Sequence, residues 1–292
     1  MIHSEKITLP SGARLYACVQ DWAPFPGCSV RRGAVICCPG GGYAVLSRTE
    51  GEAVALAFAG QGYQAFALHY RTGARAAWPN PLIDAAEAVL YVRSRADEWN
   101  IDPRKVALAG FSAGGHVAAA LGTMWPGEQV QSALGHPGDA VRPDALILGY
   151  PALSMRIDRG SQEILSLLAG ERPVDEILAE TETADFVGAH TPPAFLWTMF
   201  DDGAIPVEQG LDFCRKLAGA EVPFELHTFA HGEHACSLAT GAAAFGGAED
   251  PAVAEWFPLC CTWLKGRFGA PELAGPVPDL PPMGNGTRAH AL

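Results

Sequence analysis

Charge is scarce in this 292-residue chain: 18% of residues are charged and 49% are apolar. That balance excludes a disordered polypeptide and describes a packed interior. Basic residues are the scarcer sign, 20 Lys and Arg against 32 Asp and Glu, a net charge of −12. An acidic surface repels phosphate backbones, so no nucleic-acid partner is expected. Apolar runs long enough to cross a bilayer are missing, so no membrane partner is expected either. The N-terminus, MIHSEKITLP, lacks the basic-then-apolar pattern of a secretory signal, and the expectation is a cytoplasmic protein. Eight cysteines contain no C-x-x-C spacing, and Cys37-Cys38 and Cys260-Cys261 are neighbours. Adjacent side chains diverge, which suits neither a disulfide nor a zinc site. They read as small apolar fillers in a reducing compartment, with Cys236 set apart by its place in a polar loop. No internal repeat is present. Neither metal nor cofactor is expected.

What the chain does have is a steady alternation of short apolar runs with amphipathic ones. The strand candidates are Lys6–Leu9, Arg14–Val19, Gly33–Cys38, Gln64–His69, Lys105–Ala109, Ala145–Tyr150, Ala194–Phe200 and Phe224–Phe229. Between them lie helix candidates at Glu50–Gly60, Asn80–Trp99, Gly114–Met124, Val207–Leu217 and Val253–Leu264. Such alternation predicts an α/β fold with a mainly parallel central sheet and helices on both faces. The length is compatible with a single domain, here residues 1–268. From 151 to 190 the alternation stops, and Ser161–Ala169 and Pro173–Glu180 read as short helices. An excursion after a central strand commonly lies over the C-terminal strand ends, so a small helical cap insertion is expected, with a plain surface insertion as the other reading. Residues 269–292 are rich in Pro and Gly and read as an extended arm that packs on its own domain or on a second copy in a homo-oligomer.

The sharpest local signal is GFSAGGH, Gly110 to His116. A strand candidate precedes it and a helix candidate follows. Strand, Gly-flanked turn and helix is the setting that pushes a serine hydroxyl out of the backbone as a nucleophile. A Cβ at Gly110 or Gly114 would crowd that turn, and Ser112 stands at its apex. Serine needs an imidazole to take its proton, and the imidazole needs a carboxylate to hold its tautomer. The chain order on such a sheet is Ser, acid, His. His231 and His234 lie in the loop after the last strand candidate. The turn through Gly232 brings the later residue back over the elbow, so His234 is the candidate and His231 a turn-bonding residue. Asp201 and Asp202 follow Ala194–Phe200. Two adjacent carboxylates cannot both face one ring; Asp202 is the candidate and Asp201 a solvated or loop-capping neighbour. Backbone N–H groups must also hold the oxyanion of an attacked carbonyl. The residue after the nucleophile, Ala113, supplies one. Gly41 and Gly42, in the Gly-rich loop after Gly33–Cys38, are free to turn theirs inward. The same loop is not followed by the G-K-[ST] of a phosphate cradle.

Four motifs now stand in order: PGGGY (Pro39–Tyr43), GFSAGGH (Gly110–His116), DDGAIPV (Asp201–Val207) and HGEH (His231–His234). Together they resemble the α/β-hydrolase superfamily, in particular its acetyl-esterase, acetylxylan-esterase and feruloyl-esterase-like branch, akin to the hormone-sensitive-lipase group. The runs Trp78–Asp84 and Thr191–Trp197 are similar to that branch as well. The resemblance implies an α/β-hydrolase fold, a triad of Ser112, Asp202 and His234, with Asp202 four residues before Pro206, and an oxyanion hole of Gly41, Gly42 and Ala113. Three departures stand out. Pro39 replaces a frequent His. Ala235-Cys236 follows His234 where Gly is common. Met199-Phe200 is bulky before the acid and is a candidate to narrow an acyl pocket. His116 reads as structural.

The resemblance implies a serine carboxylesterase that removes acetyl or hydroxycinnamoyl groups from carbohydrate esters, or cleaves simple esters. Its expected partner is a small acylated substrate, with an acetylated oligosaccharide as one candidate. Two other readings stay open: a peptidase or amidase on the same fold, and a catalytically silent binding protein.

Overall fold

Successive side chains on a strand point to opposite sides, and in the centre of this sheet both sides are apolar. Along one strand Ala34, Ile36 and Cys38 face one core while Val35 and Cys37 face the other. Further along the chain Leu146 and Leu148 oppose Ala145 and Ile147, and Leu196 opposes Phe195 and Trp197. Strands buried on both faces require a helical layer on each side. The computed structural model, which describes residues 2–23, 27–156, 161–243 and 249–275, has that architecture.

The strands are β1 (Ile2–Thr8), β2 (Arg14–Gln20), β3 (Ser29–Cys38), β4 (Gln64–His69), β5 (Ile101–Phe111), β6 (Ala145–Gly149), β7 (Ala194–Met199), β8 (Phe224–Phe229) and the short β9 (Glu272–Ala274). Their order across the sheet is β1-β2-β4-β3-β5-β6-β7-β8. β3 to β8 are mutually parallel, while β1 pairs antiparallel with β2 and β2 with β4. The helices are α1 (Glu52–Gly60), α2 (Asn80–Ser94), α3 (Ala113–Met124), α4 (Glu128–Ala133), α5 (Ser161–Ala169), α6 (Val174–Thr181), α7 (Val207–Gly219), α8 (Pro251–Ala254) and α9 (Trp256–Phe268). Residues of α2, α3 and α7 fill one core, and those of α1 and α9 fill the other. In the second, Trp197 and Trp256 stack with centroids 5.0 Å apart. Burying one such aromatic contributes roughly 1.5–3 kcal/mol.

Several boundaries differ from the sequence reading. The first helix starts at Glu52 rather than Glu50, because the Glu50 side chain turns into the protein. The second ends at Ser94 rather than Trp99, because the chain reverses through Asn100 (φ 53°) to lay Ile101 beside Arg32. The six-residue α4 is an addition, too short and polar to show a period. Within the expected C-terminal arm, β9 pairs antiparallel with Ser29–Arg31 of its own chain, and residues 276–292 lie outside the described residues. The expected cap segment contains α5 and α6; its residues 157–160 also lie outside. Among the described residues no helix is long and apolar enough to cross a membrane.

Candidate active site

The parallel strands β3, β5, β6, β7 and β8 all deliver their C-terminal ends to one edge, where an open α/β sheet places ligands. Ser112 sits there between β5 and α3 with φ 52° and ψ −121°, a left-handed conformation that costs an L-residue about 1–2 kcal/mol. Neighbouring backbone holds it in place. Ser112 N–H donates to Gly149 O at 3.1 Å, and Ser112 O accepts from Ala152 N–H at 3.0 Å. The flanking glycines leave no room for alternatives. A Cβ on Gly110 would stand 2.2 Å from Gly114 O, and one on Gly114 would stand 2.1 Å from Cys38 O.

Ser112 Oγ lies 2.9 Å from His234 Nε2, and His234 Nδ1 lies 2.9 Å from Asp202 Oδ2. Asp202 has a fully buried side chain, and its other oxygen accepts from the N–H groups of Ala204 and Ile205. Two backbone N–H donors of fixed direction thus orient the carboxylate, and the carboxylate orients the ring. Since a carboxylate oxygen accepts, Nδ1 carries the proton; Nε2 of the neutral ring is then a lone pair facing the serine hydroxyl. The three residues proposed from sequence converge in one chain of hydrogen bonds.

The loop after β3 completes the edge. A Cβ on Gly40 would be 2.9 Å from Ser112 Cβ, so this loop abuts the serine. Gly41 (φ 124°) and Gly42 (φ 59°) both adopt conformations that favour glycine. Among the described residues, the N–H groups of Gly41, Gly42 and Ala113 donate to no protein acceptor. Ile164 of α5 comes next to Gly42, 3.7 Å from where a Cβ would stand, so the helical segment after β6 borders this loop.

Tyr43 anchors the loop from below. Its hydroxyl is 2.5 Å from His116 Nδ1, and His116 Nε2 is 2.7 Å from Thr181 O. A carbonyl only accepts, so Nε2 bears the hydrogen and Tyr43 O–H donates to Nδ1. His116 is fully buried, and burial pulls its pKa down to about 4. Three other histidines bond within the protein frame. His231 Nδ1 is 2.8 Å from Asp201 Oδ2, His190 Nε2 is 2.7 Å from Thr123 O, and His227 Nε2 is 2.7 Å from Glu225 Oε1. Asp201 also accepts from Gly232 N–H at 3.0 Å, which clamps the histidine loop. Met199 packs under that loop, 2.4 Å from a would-be Cβ on Gly232, and Phe200 is 70% exposed. The bulk before the acid therefore supports the histidine turn. Ala235 (φ 62°), Ser237 (φ 54°) and Ala239 (φ 53°) make the same loop a strained one. Burial pushes the Cys236 thiol up to about 12, which leaves it protonated.

A sequence model of the BD-FAE family matches residues 28–217. The chain belongs to the BD-FAE family. That match spans the elbow and the acid and stops short of the histidine loop, which the structure supplies. Among curated proteins, the chain is 34% identical over 214 residues to endo-1,4-beta-xylanase B of Butyrivibrio fibrisolvens, covering 72% of this chain and 33% of that protein. It is 33% identical over 215 residues to an acetylxylan esterase of Xylanibacter ruminicola, covering 71% of this chain and 42% of that one. The chain thus spans a third to under half of the length of these curated relatives. Among solved structures, an acetyl ester-xyloside bifunctional hydrolase from Caldicellulosiruptor lactoaceticus superposes with a TM-score of 0.73 at 33% identity, over 88% of this chain and 89% of that one. The architecture is the α/β-hydrolase fold.

Sequence reasoning within this family missed Glu50 and Tyr150. Glu50 is 1% exposed and Tyr150 fully buried, and they bond to one another at 2.6 Å across a separation of 100 residues. A charged residue inside a stretch otherwise read as helix is the only signal that pointed there.

Proposed function

We propose that this BD-FAE member is a serine carboxylic-ester hydrolase that removes short acyl groups, acetyl first among them, from carbohydrate esters. One observation carries the reading: the continuous hydrogen-bond chain from Ser112 Oγ through His234 to the buried Asp202. Ser112 Oγ attacks the ester carbonyl while His234 Nε2 takes its proton. The carbonyl electron pair moves to the oxygen, which the N–H groups of Gly41, Gly42 and Ala113 receive. Collapse of this tetrahedral species breaks the bond to the alcohol, and the imidazolium returns the proton to the departing oxygen. Water then repeats the sequence on the acyl-enzyme. Each N–H donor to the oxyanion supplies about 3 kcal/mol to the transition state. Asp202 stabilises the imidazolium without taking its proton. The acetyl and carbohydrate assignments draw on the relatives named acetylxylan esterase and acetyl ester-xyloside hydrolase. The position of Ile164 beside Gly42 supports reading α5 as an apolar cover for the acyl group.

The test is hydrolysis of 4-nitrophenyl acetate and of acetylated xylo- and manno-oligosaccharides, with methyl ferulate alongside. Wild-type protein should release acetate, and a folded Ser112→Ala variant should lose nearly all turnover. Undiminished turnover in that variant would sink the mechanism, and ferulate release without acetate release would replace the acyl assignment.

A further inference from the structure

The loop that carries Gly40, Gly41 and Gly42 and the loop that carries His234 come from opposite halves of the chain. A buried polar chain joins them. Glu50 Oε2 accepts from Gly40 N–H at 2.8 Å, and Glu50 Oε1 accepts from the Tyr150 hydroxyl at 2.6 Å. The Tyr150 oxygen in turn accepts from Ser237 N–H at 2.9 Å. Ser237, three residues past His234, donates its own hydroxyl to Thr49 O at 2.5 Å, next to Glu50. Its carbonyl accepts from Trp256 Nε1 at 2.9 Å, which ties the circuit to the core. The Tyr150 ring also stands edge-on to the His234 imidazole, with centroids 5.1 Å apart.

Proton bookkeeping sets the charge of this circuit. Ser237 N–H already points at the Tyr150 oxygen, so the phenol hydrogen is left for Glu50. Both Glu50 oxygens then accept, and no partner asks the carboxyl for a proton. An ionised carboxylate fits that pattern. Burial pushes the Glu50 pKa up, and the Tyr150 hydroxyl, Gly40 N–H, His234 and the Ser47 hydroxyl oppose the rise. The titratable groups that sense Glu50 are Tyr150, Tyr70, Cys236 and His234. Burial holds the two phenols and the thiol protonated.

We propose that Glu50 and Tyr150 are positioning residues that lock the oxyanion loop to the histidine loop. The inference rests on Ser112, His234 and Asp202 acting as the proposed triad. Its logic is differential. The circuit holds the imidazole loop and the oxyanion loop in one fixed relation, which the transition state needs and ester binding does not. A bond to Gly40 fixes the peptide that leads into Gly41 and Gly42, whose N–H groups must not drift.

The experiment compares wild type with Tyr150→Phe and Glu50→Gln on 4-nitrophenyl acetate, with thermal melts and Ser112→Ala as controls. Tyr150→Phe keeps the ring beside His234 and removes only the bridging hydroxyl. Both variants should lose about 10- to 100-fold in kcat with KM within about threefold. A role in stability alone would lower the melting temperature and leave kcat of the folded variants unchanged. Folded variants with wild-type kcat overturn the proposal. Should Glu50→Gln fail to fold, kcat of Tyr150→Phe decides. A wild-type protein without Ser112-dependent turnover overturns the triad instead, and this inference falls with it.

Discussion

Asp201 and Asp202 are consecutive, yet each holds a different histidine of one loop: Asp202 accepts from His234 and Asp201 from His231. The two partnerships have different surroundings. The Asp202 side chain is fully buried behind a half-buried ring, whereas the His231 side chain is 87% exposed. Contact with His231 and with Gly232 N–H holds the Asp201 carboxyl below its ordinary pKa, but in open solvent the pair is screened.

That contrast separates the two carboxylates by activity. Asp202→Asn should lower kcat about 10³- to 10⁴-fold, because the amide presents the wrong tautomer of His234 to Ser112. Asp201→Asn should cost less than about tenfold, through a looser histidine loop. Steady-state rates on 4-nitrophenyl acetate read both. Equal losses would mean that the loop clamp and the acid share the work.

Gly114 of the elbow and Gly42 of the loop after β3 make a second pair of expectations. Gly114→Ala drives its Cβ against two backbone carbonyls, at 2.1 Å from Cys38 O and 2.4 Å from Pro39 O, with no side chain to move aside. It should lower stability by about 3 kcal/mol or prevent folding. Gly42→Ala meets only Ile164 at 3.7 Å and has the αL strain of φ 59° to bear, about 1 kcal/mol. Thermal melts should therefore fall much further for position 114. Similar melting points would contradict the crowding at the elbow.

Most of this architecture was legible in the sequence because its signals are local. The alternation of Val35, Ile36 and Cys37, the breaks at glycine, and the setting of Ser112 each lie within a dozen residues. The convergence of Ser112, Asp202 and His234 was legible because chain order on a parallel sheet sends all three to one edge. What escaped is what distance decides. The pairing of β9 with β3 joins residues more than two hundred positions apart through three residues each. The bond between Glu50 and Tyr150 joins two ordinary side chains at element ends, where neither periodicity nor spacing marks them. Met199 was misjudged because its direction depends on strand register, and in β7 that register faces it to the core under Gly232.

Acyl-chain length is open to a direct test at Ile164. If α5 covers the acyl group beside Gly42, Ile164→Ala removes three carbons from that wall. The ratio of kcat/KM for 4-nitrophenyl butyrate to that for the acetate should then rise about tenfold, since one or two methylenes in an apolar pocket are worth roughly 1–3 kcal/mol. An unchanged ratio would move the acyl group away from α5.

The buried pair of Tyr43 and His116 predicts a pH dependence of stability. His116 has its pKa pulled down to about 4 by burial, against an ordinary 6.5. Between those values the unfolded chain binds a proton that the folded protein refuses, so stability increases with pH across this window. The contribution is fully present above about pH 6.5 and is lost as pH falls toward 4. Over two and a half units it amounts to about 3 kcal/mol. Protonation would also place an N–H on Nδ1 facing the Tyr43 oxygen, so the hydroxyl would turn its hydrogen away and accept instead of donating. Urea denaturation at pH 7, 5.5 and 4 on wild type and on His116→Gln checks this. The glutamine retains a donor for Thr181 O and an acceptor for Tyr43, but it does not titrate. Wild type should lose about 3 kcal/mol more than the variant on going from pH 7 to pH 4, and parallel losses would show that the imidazole is not the group responsible.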